Sequence, residues 1–402
     1  MTAPTATPLL RTLSLTQITL YGIGTILGAG IYVLVGEVAN TSGTLMPFAF
    51  VLAALVVSFS AYSYGQLSRL YPVSAGEPVY VQQAFGIKSL STLVGYAIVF
   101  AGIVSAATIA RGFSGYLSVF MTLPDSLTIS LLILLLSAIA AWGVKLSVSV
   151  AVTTTLLELL GLAFVIYAGA NKLPSLLSDA NIQLIPDTSL AWKGVGAGAF
   201  IAFYAFIGFE DMVNMAEEVK QPEKNMPRGI LLALVTACLL YFIVTLCTLA
   251  AVPLKELAAS KAPLVLVVEQ NTAIPTLAMA GISIVAVVNG ALLQIIMASR
   301  VLYGMGKRDL GPGFLATVHP RSQTPLLATA LVGALVLTAA LLAPLVTLAQ
   351  ATSGTILGIF ILVNLALLRL NWRKQRRNFM SLAIPTCGAF ICAVFLLVQF
   401  WL

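Results

Sequence analysis

Eleven apolar segments, each long enough to cross a bilayer, fill almost the whole chain. They run over residues 17–38, 45–69, 90–118, 127–143, 147–170, 196–217, 228–252, 276–303, 325–343, 345–368 and 379–400. Lipid offers no partner to backbone N–H and C=O groups, so such segments must satisfy them internally as helices. Charged residues make up 9% of the 402 positions and hydrophobic residues 59%, whereas a soluble domain carries about 25% charged residues. The hydrophilic interruptions are short, the longest at 71–88, 171–193, 217–228, 253–274 and 307–325. The expectation is an all-α integral membrane protein packed as a single transmembrane domain.

The net charge of +7 reports orientation. With the N-terminus cytoplasmic, only Lys172, Lys193, Lys255 and Lys261 of the 21 Lys and Arg fall on the far side, and Arg111 falls within a span. That asymmetry obeys the positive-inside rule, and nucleic acid is not expected as a partner. The basic cluster Arg369–Arg377 faces the cytoplasmic leaflet, where anionic membrane lipid is its natural contact. No signal peptide is expected, because the first apolar run is long and lacks a small-residue cleavage site. The loops are as brief as those of bacterial inner (cell) membrane proteins, and an eleventh span leaves the C-terminus extracytoplasmic. Cys238, Cys247, Cys387 and Cys392 all lie within spans, with neither metal-ligand spacing nor a disulfide framework. No metal or other cofactor is expected.

The first span is interrupted at Gly28-Ala29-Gly30. Each glycine inside a helix costs about 0.5–1 kcal/mol relative to alanine, so the cluster marks a stretch that is unwound. The second half of the helix then presents free amides and a positive dipole end, which suit a carboxylate. The end of the first half presents orphan carbonyls, which suit an ammonium. An α-amino acid satisfies both. The sixth span carries Gly194-Val195-Gly196-Ala197-Gly198 ahead of Phe203-Tyr204-Ala205-Phe206-Ile207-Gly208-Phe209, so two irregular helices stand five spans apart. That spacing predicts two inverted repeats, residues 17–170 and 196–368, with 379–400 outside them. Tyr204, Phe206 and Ile207 are candidates for the other wall of the site.

Charges inside spans are costly and tend to face a cavity or a partner. Glu210 and Asp211 follow the sixth-span break. They are candidates to hold a cationic side chain, to line an inner vestibule or to couple an ion, and the alternative is a bond to backbone beside the unwound turn. Arg111 is expected to snorkel or to pair with a carboxylate. Glu158, one turn after Thr154 and Thr155, is a candidate proton carrier, with a structural hydrogen bond as the alternative. A lone His319 in a loop excludes a Ser-His-Asp triad, and no phosphate-cradling Gly-Lys-Ser/Thr motif is present, so the protein is not read as an enzyme or as driven directly by ATP.

Four stretches resemble the amino acid–polyamine–organocation superfamily of permeases. Gly28-Ala29-Gly30-Ile31-Tyr32 is similar to that family's glycine break. Pro72-Val73-Ser74-Ala75-Gly76-Glu77-Pro78-Val79-Tyr80 is similar to its Pro-x-Ser-Gly-Gly loop, interrupted here by Glu77-Pro78. Phe206-Ile207-Gly208-Phe209-Glu210, with Glu217-Glu218 through Pro222 and Met226-Pro227-Arg228, matches its most specific motif. Ser299-Arg300-Val301-Leu302-Tyr303-Gly304-Met305-Gly306-Lys307-Arg308-Asp309 is the fourth. The wording of the first span is closest to the cationic-amino-acid-transporter-like branch.

The resemblance implies a leucine-transporter-like five-plus-five inverted-repeat bundle with spans 1 and 6 broken. It implies carboxylate capture by amides around Gly28, Ala29 and Gly30, and an ammonium meeting carbonyls near Ile23, Gly24, Tyr204 and Ile207. It further implies an aromatic gate at Phe203 or Tyr204. Proton-coupled members can carry a fifth-span Lys, where this chain offers Glu158. Sodium-binding relatives use eighth-span hydroxyls, and residues 285–294 have none. The expected function is secondary active amino acid transport by alternating access, with a proton as coupling ion. The alternatives are an amino acid or amine exchanger and a non-transporting amino acid sensor of the same fold.

Overall fold

The computed structural model describes residues 11–28, 30–73, 76–142, 148–179, 184–307, 310–319, 322, 324–374 and 378–399. Ala29, the centre of the first-span glycine cluster, lies outside them, as do Ser74, Ala75, Lys145, Arg308, Asp309, Arg321, Arg376 and Arg377. The first helix begins where the sequence provides a reciprocal cap. The Gln17 amide donates to Ser14 Oγ, and the Gln17 side chain accepts from the Ser14 amide at 3.0 Å, which satisfies two of the amides a helix start leaves orphaned.

That helix, α1 (Leu15–Leu27), is capped at Gly28, and α2 (Gly30–Ser42) begins two residues on. There follow α3 (Met46–Leu70), α4 (Gly76–Phe85), α5 (Lys88–Leu117), α6 (Asp125–Trp142), α7 (Val148–Ala170) and α8 (Leu173–Ser178). The second half opens with α9 (Ser189–Phe203), capped by the Thr188 hydroxyl at 3.1 Å from the Ala191 amide. α9 gives way to two 3-10 turns, Tyr204–Phe206 and Glu210–Glu218. Then come α10 (Pro222–Ala251), α11 (Leu254–Ala259), α12 (Pro263–Asn271), α13 (Thr276–Lys307), α14 (Leu326–Leu342), α15 (Leu345–Arg373) and α16 (Phe379–Val398). Each of the eleven apolar stretches is thus helical over most of its described length.

Among the described residues, nine helical stretches are long and apolar enough to cross a membrane, and Leu15–Leu27 and Leu326–Leu342 are shorter apolar helices. Large apolar side chains stand exposed around the outside, among them Leu134 at 59%, Leu231 at 60% and Phe390 at 67%. An apolar belt of that kind is unfavourable in water and natural against lipid. The protein is a multi-pass membrane protein.

Inside the bundle, α5 packs against α13, α14 and α15, while α3 packs against α10 and α9, and α1 lies against α10 and α7. Polar side chains tie these helices together. Ser63 Oγ donates to Asn364 Oδ1 at 2.6 Å and Asn364 Nδ2 to Ser60 Oγ at 2.9 Å, joining α3 to α15. Such bonds act as glue between helices where lipid supplies no hydrophobic drive. Of the two alternatives for Arg111, snorkelling or a carboxylate partner, the second is not what the described residues show. The Arg111 Nε donates to the Ala340 carbonyl at 2.7 Å and its Nη2 to that of Leu341 at 3.5 Å. A guanidinium there satisfies carbonyls orphaned at the C-terminal end of α14 and opposes the negative end of its dipole.

Candidate functional site

The break in span one is tight. Gly28 still donates to the Gly24 carbonyl at 2.9 Å, closing the last turn of α1, and the first-turn amides of α2 are left without partners from the same helix. In span six the chain leaves α9 through the 3-10 turn at Tyr204–Phe206. Ile207 is extended, with φ −65° and ψ 136°, and Gly208 takes φ +127°. That dihedral lies in a region side-chain-bearing residues rarely adopt. The Gly208 amide turns away from the helix axis and donates to Glu210 Oε2 at 2.8 Å.

The two breaks meet backbone to backbone. A Cβ on Gly30 would lie 2.2 Å from Ala205 Cα, and one on Gly208 would lie 2.3 Å from the Thr25 carbonyl oxygen. Glycine is therefore required at both crossings by contact. Beside this crossing lies a cavity of about 30 Å³, lined by Gly24, Thr25, Ile26 and Gly30 from span one, Tyr204, Ile207 and Asp211 from span six, Ser105 and Ile109 from α5, and Gly290, Leu293 and Gln294 from α13. A second cavity, of about 20 Å³, shares Ser105, Ile207, Asp211 and Gln294 and adds Glu77, Glu210, Asn214 and Thr352. Spaces of this size hold about one or two waters each, and both are lined by polar and apolar groups together.

The structure sorts the expected site residues. Gly24, Gly30, Tyr204, Ile207 and Asp211 line the first cavity, while Ile23 and Gly28 do not. Phe203 and Phe206 are also absent from its lining. Phe203 packs against Phe360 and Phe395 at 5.8 and 6.2 Å, and Phe206 against Tyr241 and Phe50 at 5.0 and 6.5 Å. Tyr204 instead spans the cavity, its hydroxyl 2.8 Å from Ser105 Oγ and 3.1 Å from the Ser105 carbonyl. Glu210 is the backbone-bonded carboxylate beside an unwound turn, and it also lines the second cavity.

Glu158 on α7 is fully buried, and among the described residues neither carboxyl oxygen has a partner within hydrogen-bond geometry. A Cβ placed on Gly28 would be 3.8 Å from its Oε1, which sets the carboxyl against the end of α1. Thr154 and Thr155 do not serve it. Thr154 bonds back to its own helix at Ala151, and Thr155 reaches Ala151 at 2.8 Å and Leu20 at 3.2 Å.

Ser105, Ile109, Gln294 and Tyr241 were missed in the sequence. Gln294 had a visible signal, a polar side chain one turn beyond Asn289-Gly290 in an otherwise apolar span. Ser105 sits among alanines and glycines, and Tyr241 reads as ordinary core.

The sequence profile of a family described as amino acid permease matches residues 13–402. A branched-chain amino acid permease of Bacillus subtilis is 29% identical, over 91% of this chain and 82% of its own length. A methylthioribose transporter of the same organism is 28% identical, over 96% and 88%. A vacuolar cationic amino acid transporter of Arabidopsis thaliana is 27% identical over 81% of this chain, which spans 58% of that longer relative.

Proposed function

Because this chain belongs to the amino acid permease family, within the amino acid–polyamine–organocation superfamily, and transports amino acids, we propose that it is a secondary active carrier working by alternating access, with a proton symported alongside an α-amino acid. The observation that carries this reading is the contact of two backbone breaks beside a small cavity of mixed polar and apolar lining. Irregular backbone at membrane depth occurs where it lines a cavity, and transporters place their substrates at such breaks. The substrate carboxylate meets the first amides of α2 at Gly30 and Ile31, where the helix dipole is positive. Its ammonium meets carbonyls in the last turn of α1, at Gly24 and Thr25 rather than at Ile23, which is outside the cavity lining, and across the cavity at Tyr204 and Ile207.

Glu158 is the proton carrier in this reading. An ionisable side chain buried inside a span is a functional group by default, and this one stands against the end of α1 at the first break. Residues 17–170 and 196–368 form the two inverted repeats, with the last span outside them. The carrier sits in the cytoplasmic membrane with its N-terminus inside and its C-terminus outside, as the skew of basic residues supports.

Thermal stabilisation of the purified protein across the twenty amino acids, common polyamines and methylthioribose tests the substrate class. A ligand at a hundred times its dissociation constant adds about 2.7 kcal/mol to the folded state. Stabilisation by free amino acids is the expected result, followed by accumulation in proteoliposomes under an imposed pH gradient. Uptake that follows internal amino acid and ignores the pH gradient would replace symport with exchange. No stabilisation by any amino acid would remove the site.

A further inference from the structure

Tyr241 is fully buried on α10, and its hydroxyl lies 2.9 Å from the Ile26 main-chain carbonyl and 2.9 Å from that of Ala205. These two carbonyls belong to the two breaks. Ile26 stands in the last turn of α1, and the amide four residues on, that of Gly30, lies beyond the interruption. Ala205 stands in the 3-10 turn, and the amide three residues on, that of Gly208, is turned to Glu210. Among the described residues neither carbonyl has a donor in its own helix, and an unpaired buried carbonyl is unfavourable. One phenol hydrogen is thus shared between acceptors on two different broken helices. The ring itself is held edge-on against Phe50 at 5.5 Å and Phe206 at 5.0 Å, so packing fixes where the hydroxyl sits.

We infer that Tyr241 is a positioning residue for the substrate site, registering the broken middle of span one against that of span six so that the amides and carbonyls meeting the substrate stay in one arrangement. The inference rests on the reading that the breaks hold an amino acid. Gly30 and Gly208 let the two backbones touch, and Tyr241 sets the register at which they do so. Tyr241 is outside the lining of either cavity, so its influence on binding is exerted through the backbone it holds.

Tyr241→Phe keeps the ring and its contacts with Phe50 and Phe206 and removes only the hydroxyl. The experiment measures the dissociation constant of the amino acid that best stabilises the wild type, together with the melting temperature of the ligand-free protein. A tenfold or greater rise in dissociation constant is expected, matched by a similar rise in transport KM. Replacement of Tyr241 by 4-aminophenylalanine, which keeps a para donor, is expected to restore binding to within threefold of wild type. A fall in ligand-free melting temperature with an unchanged dissociation constant would reduce Tyr241 to packing and overturn the inference, as would equal binding by the phenylalanine and aminophenylalanine proteins. A wild type that binds no amino acid would instead sink the reading of the site itself.

Discussion

The Tyr32 hydroxyl donates a 2.6 Å hydrogen bond to the main-chain carbonyl of Glu158, while the Glu158 carboxyl itself has no hydrogen-bond partner among the described residues. Tyr32 therefore anchors the α7 backbone to α2 and leaves the acid free to change its protonation. Glu158→Gln keeps the size and removes the exchangeable charge. The expected outcome is loss of pH-driven accumulation, with exchange of labelled for unlabelled substrate retained within about threefold, a change of under 1 kcal/mol. Accumulation that still follows an imposed pH gradient in this variant would return Glu158 to a structural role.

The glycines of the first break differ sharply in what surrounds them. A Cβ on Gly30 would collide with the Ala205 backbone at 2.2 Å, whereas on Gly28 the tightest contact is the Gly24 carbonyl at 3.0 Å and the next is at 3.8 Å. Gly30→Ala is expected to abolish substrate binding, since backbone on both sides of the crossing must move. Gly28→Ala is expected to keep binding within about tenfold, or 1.4 kcal/mol. Equal loss in the two variants would mean that the cavity wall extends to Gly28.

The first break was legible because a glycine cluster is unfavourable in an apolar helix and so stands out. The sixth-span cluster misplaced its break: residues 194–198 lie within the unbroken helix α9, where Gly198 packs closely on Ser42. The chain leaves the helix only at residues 204–208. Which side chains face the cavity was not legible. Phe203, Tyr204, Phe206 and Ile207 are adjacent, and the switch from α-helix to a 3-10 turn after Phe203 redirects them, sending Tyr204 and Ile207 to the cavity and the two phenylalanines to aromatic packing. Partners distant in sequence were equally hidden. Nothing local links Arg111 to carbonyls at 340 and 341, or Tyr241 to Ile26. Glu210 shows the reverse case, since its partner is the Gly208 amide two residues away, and the backbone-bonded alternative was readable from the motif.

Tyr204 and Ser105 give an asymmetric pair of variants. The Tyr204 hydroxyl contacts both the Ser105 side chain, at 2.8 Å, and its carbonyl, at 3.1 Å. Ser105→Ala removes one contact and leaves the tyrosine a backbone acceptor, so substrate affinity is expected to change by less than about twofold, or 0.4 kcal/mol. Tyr204→Phe removes both and is expected to weaken binding by about 0.5–1.5 kcal/mol. Titration of the two purified variants decides the matter. If Ser105→Ala proves the more damaging, the serine hydroxyl itself contacts substrate.

Glu77 lies on α4, outside the spanning helices, and is 6% exposed. Burial pushes its carboxyl up to about 7 from the usual 4.5, although the Tyr64 hydroxyl, donating at 3.0 Å, and its own main chain favour the charged form. The folded protein then binds a proton that the unfolded chain releases near 4.5. The native state takes up more protons across the interval from 4.5 to about 7, so the contribution of this group to stability is greatest below pH 4.5 and is lost as pH rises through 7. Melting temperature measured at steps from pH 5 to 8 is expected to fall less steeply in Glu77→Gln than in wild type, because the amide has no proton to lose. Glu77 also lines the second cavity, with Glu210 and Asp211. Parallel curves for the two proteins would show that Glu77 keeps one protonation state throughout this range.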